Sequence, residues 1–251
     1  MSQTYLGVLS YDGTDFYGFE KQQNKRTVQG ILEETLSRLN NETVRIHGAG
    51  RTDRGVSARG QTFSFVLSHE IPHLPSFLHS LNRVLPSDMV VYSLEKRPMG
   101  FDARHSCSGK VYSYSFHLGE RDVLTKAEFQ MSYPNFREED CKACLSLFQG
   151  KHNFQNFTAK KEDKDGFVRT ISSVRYEIYP QGHRKVFFEA NGFMTYQVRL
   201  MMGSAFQVAL GRASLAEIRT LLIQNERKVV YHKADPKGLV LEEVRYGESA
   251  I

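Results

Sequence analysis

The sequence from residue 48 to residue 58 reads GAGRTDRGVSA, which places one carboxylate, Asp53, between two arginines in a loop with three glycines. Glycine lets the backbone approach a ligand closely, because it has no side chain. Arg51 and Arg54 can bind an anion and keep Asp53 ionised. The stretch therefore indicates a catalytic carboxylate directed at a phosphate-rich substrate, although a Gly-rich turn with a structural Arg–Asp ion pair has the same pattern.

Two common nucleotide-binding loops do not fit this stretch. A P-loop needs the pattern Gly-x-x-x-x-Gly-Lys-Ser/Thr, and no lysine follows the second glycine here. A dinucleotide-binding loop needs Gly-x-Gly-x-x-Gly, and Asp53 stands where the third glycine would be. The sequence therefore predicts no nucleotide cofactor at this loop.

Strands predicted over residues 43–47 and 61–68 flank the Asp53 loop, and the remaining elements extend outward from them. Strands, helix, strands, helix and strands occur in this order twice, which predicts an α+β protein of two similar halves with mainly antiparallel sheets and flanking helices. A hinge expected around residues 98–104 divides the chain into residues 1–103 and 104–251, with a cleft between them. The other predicted strands cover 4–11, 88–95, 110–117, 171–179, 185–190 and 238–246, and the helices cover 27–40, 75–84, 138–148, 194–210 and a segment from 214 onward. Thr27 is the expected cap of the first helix, and Ser214 with Glu217 forms a capping box at the last. The strands over 171–179 and 185–190 are expected to pair antiparallel around Gly182, and residues 158–168 form a charged loop.

Composition narrows the class of protein. The chain has 251 residues and a formal net charge of +5, a modest excess that suits a nucleic-acid partner. No secretory signal and no apolar run of about 18 residues is present, so we expect no membrane association. Three cysteines, an odd number, indicate a reduced, cytoplasmic protein. Cys141 and Cys144 have CxxC spacing, but their helical pattern predicts core positions, and no second ligand pair indicates a metal site.

Three residues outside the loop have side chains suited to chemistry. Tyr112, on the strand predicted over 110–117, offers an aromatic face for a base and a phenol for proton transfer, and Lys110 shares its face. Arg199 lies in an apolar helical segment, where a charge is costly unless it is paired with a carboxylate such as Asp53. Taken alone, Tyr112 fits a half-buried strand tyrosine equally well, and Arg199 fits a side chain that extends from a core helix to solvent.

Eight segments, in order along nearly the whole chain, resemble the tRNA pseudouridine synthase A family. Any one of these segments would be weak evidence, but eight in the same order are highly specific. They include the opening motif YDGTDFYGF, the loop GRTDRGVSA and the run FDARHS that precedes Lys110 and Tyr112. The segments cover residues 11–19, 27–33, 50–58, 81–88, 101–112, 150–154, 192–199 and 233–239.

The resemblance implies an enzyme that isomerises uridine to pseudouridine in the anticodon arm of tRNA, at positions 38, 39 or 40, without a cofactor or metal. It also implies a homodimer with a basic RNA-binding cleft between the two halves of each chain. Asp53 would be the catalytic residue, Arg51 would hold the RNA, Tyr112 would stack on the target base and Arg199 would pair with Asp53. Lys110 and Arg54 are further expected substrate-binding residues.

The chain departs from the family pattern at several positions. Members commonly have Ala-Gly-Val-His-Ala after the catalytic aspartate, whereas this chain has RGVSA, with Arg54 and Ser57 as the differences. Glu20 stands where glutamine is common, and Phe19 where tryptophan is common. These differences indicate a divergent paralogue and leave open a synthase that acts on another RNA position.

Two other functions remain as alternatives. A catalytically inactive tRNA-binding protein or chaperone would be expected to lack Asp53, Tyr112 or Arg199, and all three are present. A nucleoside or glycoside hydrolase usually needs two facing carboxylates, and the loop offers only Asp53.

Overall fold

The computed structural model describes residues 2–120, 129–131, 133–162, 166–224 and 226–247. These residues form two compact units, of which the first contains Met1–Ser108 with Val240–Ile251 and the second contains Gly109–Leu239. The division differs from the predicted one at 103/104, because the last strand of the chain returns to the N-terminal unit. Gly60 permits that return, since a Cβ atom at this position would lie 2.4 Å from the carbonyl oxygen of Glu242.

The first unit is built on an antiparallel sheet with β1 at its centre. Strand β1 (Gln3–Tyr11) pairs with β3 (Ser57–Leu67) on one side and β4 (Met89–Arg97) on the other. The short β2 (Ile46–Gly48) runs antiparallel to β3, and β10 (Leu239–Tyr246) runs parallel to β3 near its start. Tyr5, Phe63 and Phe65 from β1 and β3 are buried, which places the core of the unit against the sheet.

Two helices, α1 (Val28–Asn40) and α2 (Leu74–Val84), accompany this sheet. The side chain of Thr27 accepts a hydrogen bond from the Gly30 N–H at 3.3 Å, as expected for the predicted N-cap. Val28, Leu32 and Leu36 form the fully buried stripe of α1. The helix ends at Asn41, whose left-handed backbone stops it.

The strands of the second unit also pair mostly antiparallel. Strand β5 (Cys107–Leu118) pairs with β9 (His183–Ala190), which pairs with β8 (Val168–Ile178), which pairs with β7 (Gly150–Asn153). The predicted antiparallel hairpin of β8 and β9 around Gly182 is confirmed. Strand β6 (Phe129–Met131) adds to β5 in parallel; neither β6 nor β7 was predicted, since each has only three or four residues.

Three helices belong to this unit: α3 (Glu138–Ser146), α4 (Gln197–Ala209) and α5 (Leu215–Ile223). Cys141 and Cys144 are fully buried on α3, as predicted. The capping box that begins α5 is present, with Ser214 and Glu217 bonded reciprocally. Helix α4 begins three residues later than predicted, because Tyr196 before it has a left-handed backbone. The predicted charged loop over 158–168 lies partly outside the described residues.

Each unit therefore combines largely antiparallel strand pairs with helices, and the predicted α+β class is confirmed. Of the helices in the described part of the chain, none has the length and apolar character needed to cross a membrane.

Candidate active site

The Asp53 loop joins β2 to β3 and is fastened to its surroundings through backbone groups. The Ala49 N–H donates to the Thr62 carbonyl at 2.9 Å, and the Phe19 N–H donates to the Thr52 carbonyl at 3.1 Å. Within the loop, the Val56 N–H donates to the carbonyl of Asp53 at 3.1 Å. The position of Asp53 therefore depends on main-chain contacts, and its side chain is partly buried.

Two glycines bring the segment after β1 against this loop. A Cβ atom on Gly13 would lie 2.1 Å from the carbonyl oxygen of Val56, a distance that no side chain tolerates. Gly18 has a φ of +92°, and a Cβ atom there would lie 2.9 Å from the carbonyl oxygen of Thr52. The family-like opening motif thus serves as a backbone support for the Asp53 loop.

A buried tyrosine, Tyr11, is hydrogen-bonded to the loop. The Tyr11 hydroxyl and the Thr52 hydroxyl are 2.7 Å apart, and both residues are almost fully buried. Burial raises the pKa of Tyr11 to about 12, although hydrogen bonds with Thr52 and Gln61 oppose that rise. Tyr11 therefore stays neutral at physiological pH, and its buried hydroxyl is a fixed hydrogen-bonding partner for the loop.

The two arginines of the loop have exposed side chains with partners in or directly after the opening motif. Arg51 forms an ion pair with Glu20 at 2.5 Å, in which the arginine side chain is 64% exposed and the glutamate 47% exposed. The Arg54 guanidinium lies 4.3 Å from the centre of the Tyr17 ring, as in a cation–π contact. Both cations are accessible to an incoming anion. Glu20 and Tyr17 are partners that the sequence did not predict, although Tyr17 lies in the opening motif and Glu20 directly follows it.

A cavity of about 190 Å³ lies next to Arg51. His47 Nδ1 lies 2.7 Å from an Asp102 oxygen in its wall, and the Arg104 and His105 N–H groups also donate to Asp102. Partial burial favours the neutral acid, but these hydrogen bonds hold the pKa of Asp102 below its usual value. The cavity is lined by Phe19, Glu20, Gln29, His47, Gly48, Gly50, Arg51, Asp102, Arg104 and His105.

In the second unit, Tyr112 and Lys110 lie on β5, as predicted. Lys110 is opposite Ala190 in the β5–β9 register and is partly buried. Tyr112 is only 8% exposed, and the edge of the Phe193 ring packs against it at a centroid distance of 5.3 Å. The Tyr112 ring is therefore held in one orientation, as a stacking surface requires.

Arg199 lies in the first turn of α4 and is 7% exposed, so it does not extend into solvent. Its Nε donates to the carbonyl of Ala234 at 2.8 Å, and the Ala234 N–H donates back to the Arg199 carbonyl at 2.9 Å. This reciprocal pair docks the segment around Ala234 on α4. Sequence reasoning identified the arginine but not its backbone partner, which lies 35 residues away.

The structure thus places Arg51, Asp53 and Arg54 on one loop of the first unit, and Lys110, Tyr112 and Arg199 on β5 and α4 of the second. The pairing of Arg199 with Asp53 stays a prediction. Among the described residues, no group of three or more His, Cys, Asp or Glu side chains could hold a metal ion.

Comparison with known proteins agrees with the predicted resemblance. A family model described as tRNA pseudouridine synthase matches residues 8–105 and 145–247. The chain is 35% identical over 253 residues to tRNA pseudouridine synthase A of Lactococcus lactis subsp. lactis (strain IL1403), with 98% of both chains covered. It is also 35% identical over 250 residues to tRNA pseudouridine synthase A of Latilactobacillus sakei subsp. sakei (strain 23K), with 98% of this chain and 100% of that protein covered.

Among solved structures, a chain from the crystal structure of the archaeal box H/ACA sRNP Nop10–Cbf5 complex is similar at a TM-score of 0.37 and 12% identity. That match covers 81% of this chain but only 43% of the other. The family model, by contrast, covers most of this chain, and the relatives match it nearly from end to end. The chain therefore belongs to the tRNA pseudouridine synthase family, whose members are isomerases that convert uridine to pseudouridine.

Proposed function

We propose that this protein isomerises uridine to pseudouridine in tRNA, with Asp53 as its catalytic carboxylate. The observation that carries the proposal is the Asp53 loop itself. A partly buried carboxylate sits on a loop fastened through its main chain, with the accessible cations Arg51 and Arg54 beside it. Such a loop can hold one carboxylate in place while the flanking arginines bind RNA phosphates.

The reaction suits these groups because it exchanges nothing with a cofactor. The N1–C1′ bond of uridine breaks, the uracil rotates, a C5–C1′ bond forms, the proton on C5 leaves and N1 takes up a proton. An ionised Asp53 can attack C1′, or it can remove the C2′ proton to give a glycal. Both routes begin with the same carboxylate, so the assignment of Asp53 does not depend on the choice between them.

The target uridine must leave the base stack before it can react, at a cost of a few kcal/mol. We assign Tyr112 as the surface on which the extruded base stacks, because its ring is held in one orientation by Phe193. Lys110, two residues earlier on the same strand, is assigned to the substrate backbone. Arg199 is assigned as the partner of Asp53, because a buried guanidinium is stable only with anionic or carbonyl partners.

The finer assignments follow from the resemblance. We propose the anticodon arm as the substrate region, with positions 38, 39 and 40 as targets, and a cytoplasmic homodimer as the active form. Arg54 and Ser57 replace the residues common at their positions, and Glu20 pairs with Arg51 where glutamine is common. If the enzyme acts on another tRNA position, these three residues are the first to substitute in order to find what sets that choice.

The test is tritium release from unmodified tRNA labelled at uracil C5. We expect wild-type protein to release tritium, and Asp53→Ala to lower the rate by about 10³-fold or more, within the range for loss of a catalytic acid–base group. The tRNA dissociation constant should change little, because the loop is held by its backbone. Asp140→Ala, which removes an exposed carboxylate paired with Arg137, serves as the matched control and should keep wild-type activity.

The possible contrary results have separate meanings. Wild-type rates in Asp53→Ala would show that the catalytic residue lies elsewhere. Absence of tritium release by the wild type from a mixed tRNA pool, with tRNA binding intact, would indicate a binding protein. Release of free uracil would indicate a hydrolase.

A further inference from the structure

Tyr196, the residue that precedes α4, has a backbone conformation that bulky side chains rarely adopt. Its φ is 63° and its ψ is 4°, in the left-handed region. The other non-glycine residues with positive φ in the described part of the chain are two asparagines and a glutamine: Asn24, Asn41 and Gln181. Asparagine tolerates this region, whereas an aromatic residue there is strained. A strained aromatic side chain is retained only where its surroundings require it.

Hydrogen bonds on both sides of Tyr196 impose this conformation. The Gln197 side chain accepts from the Met194 N–H at 2.9 Å, and the Gln197 N–H donates to the Met194 carbonyl at 3.0 Å. The carbonyl of Thr195 accepts from the Thr158 hydroxyl at 2.9 Å. The turn is therefore closed whatever side chain occupies position 196, and glycine or asparagine would fill it with less strain. The ring itself must supply the reason for a tyrosine.

Two cations lie over that ring. The Lys233 ammonium is 3.7 Å from the ring centre, and the Arg199 guanidinium carbon is 5.4 Å from it. An aromatic face attracts a cation, so the ring restrains the Lys233 side chain.

The backbone that carries Lys233 is equally fixed. Its neighbour Ala234 is bonded reciprocally to Arg199. On the other side, the carbonyl of His232 packs so closely on α4 that a Cβ atom at Gly203 would lie 1.9 Å from its oxygen. The turn that carries Tyr196 and the segment that carries Lys233 are thus anchored to the second unit by separate contacts. The Lys233 side chain itself is exposed.

We propose that Lys233 binds a phosphate of the RNA substrate and that Tyr196 is the positioning residue that holds its ammonium for that contact. An exposed ammonium held in one place is suited to bind a phosphate, and phosphate contacts supply a large share of the binding energy in nucleic-acid recognition. The proposal rests on the proposed function, because it takes RNA as the ligand.

The test measures the dissociation constant of tRNA as a function of salt concentration. Lys233→Met should weaken binding about tenfold and lower the slope of log K against log salt by roughly 0.7 to 0.9, the loss of one phosphate contact. Tyr196→Asn, which tolerates the left-handed backbone, should weaken binding by about three- to tenfold, with a melting temperature within about 4 °C of wild type. Tyr196→Phe keeps the ring and should bind within twofold of wild type.

The double variant Tyr196→Asn/Lys233→Met decides whether the two residues act as a unit. If Tyr196 acts through Lys233, the double variant binds no more than twofold more weakly than Lys233→Met alone. Losses that multiply would overturn the positioning role. An unchanged slope in Lys233→Met would overturn the phosphate contact, even if Tyr196→Asn failed to fold. The matched control is Gln181→Asn, at the other non-glycine residue with positive φ among the described residues of this unit, which should bind tRNA as the wild type does.

Two further arms separate the possible failures. Binding in sodium phosphate should match binding in sodium chloride at equal ionic strength, and specific inhibition by phosphate would assign the site to the free ion instead. Tritium release by the wild type is measured in parallel. Its absence would overturn the proposed function, while the binding slopes would still decide the RNA contact.

Discussion

The Asp53 loop and the first turn of α4 hold their charged side chains in opposite ways. The loop is fixed through main-chain hydrogen bonds and close glycine contacts, so the side chains of Arg51 and Arg54 project into solvent. On α4, the Arg199 side chain is itself buried and bonded to the backbone of Ala234. In the loop, the side chains proposed to function differ from the backbone groups that hold the loop, whereas in α4 the Arg199 side chain both holds the structure and has a proposed role in the site.

This difference has an energetic cause. Exposed ion pairs such as Arg51–Glu20 contribute about 0 to 1 kcal/mol to folding, because water screens them. Removing a buried, hydrogen-bonded charge leaves its partners without a bond and leaves space in the core. Substitutions in the two regions should therefore separate activity from stability in the loop and change them together in α4.

The largest expected effect is at Arg199. We expect Arg199→Ala to lower the free energy of unfolding by about 3 kcal/mol, because it removes the bond to Ala234 and empties a buried position. Tritium release should fall as well, and urea denaturation with the tritium assay measures both. Arg212→Ala, at an exposed arginine just after α4, is the control and should change stability by less than about 0.5 kcal/mol. If Arg199→Ala left the unfolding free energy unchanged, the charged side chain of α4 would contribute no more to stability than those of the loop.

The same variant tests whether Asp53 and Arg199 form the predicted pair. Combined with Asp53→Asn in a double-mutant cycle, it should show a coupling in the unfolding free energy of about 0.5 to 3 kcal/mol. Additive losses would mean that the two side chains do not interact.

The second effect concerns the support of the loop. Gly13→Ala places a Cβ atom against the Val56 carbonyl and should cost about 2 kcal/mol by overpacking, with a shift of the loop. Tritium release should fall at least about tenfold, since misplacement of a catalytic group by an ångström is costly. Gly192→Ala, where a Cβ atom meets nothing within 4 Å, is the control for stability alone. Full activity in Gly13→Ala would show that the loop does not depend on this backbone contact.

The smallest effect is at Tyr11, whose hydroxyl bonds to Thr52. Tyr11→Phe should cost about 1 kcal/mol at pH 7. The folded pKa of Tyr11 is about 12 and the unfolded value is about 10, so the unfolded state loses its proton first. The stability that neutral Tyr11 contributes is thus complete below pH 10 and is lost as the pH rises to 12.

Urea denaturation at pH 8, 10 and 11.5 tests this sign. Wild-type protein should lose more stability than Tyr11→Phe over this range, while Tyr92→Phe, at a tyrosine that is 57% exposed, should follow the wild type. Equal losses in wild type and Tyr11→Phe would show that the Tyr11 pKa is not raised.

Much of the secondary structure could be predicted because its causes are local. Alternation of side chains marked β1 and β5, and apolar spacing with a Thr27 cap marked α1. The start of α4 could not be predicted, since an apolar pattern continues through Tyr196, whose conformation is imposed by bonds to Thr158 and within the 194–197 turn. The capping box at Ser214 was predicted correctly because both of its hydrogen bonds join residues that are three positions apart.

By itself the sequence determined the strands and helices, the family and the candidate residues Asp53, Tyr112 and Arg199, because periodicity, capping and ordered motifs are properties of neighbouring residues. Only the tertiary structure decided the partners of those residues. The bond of Arg199 to Ala234, the Glu20–Arg51 pair and the return of β10 to β3 join segments that are far apart along the chain. Such contacts depend on how the elements pack, and no local pattern specifies packing.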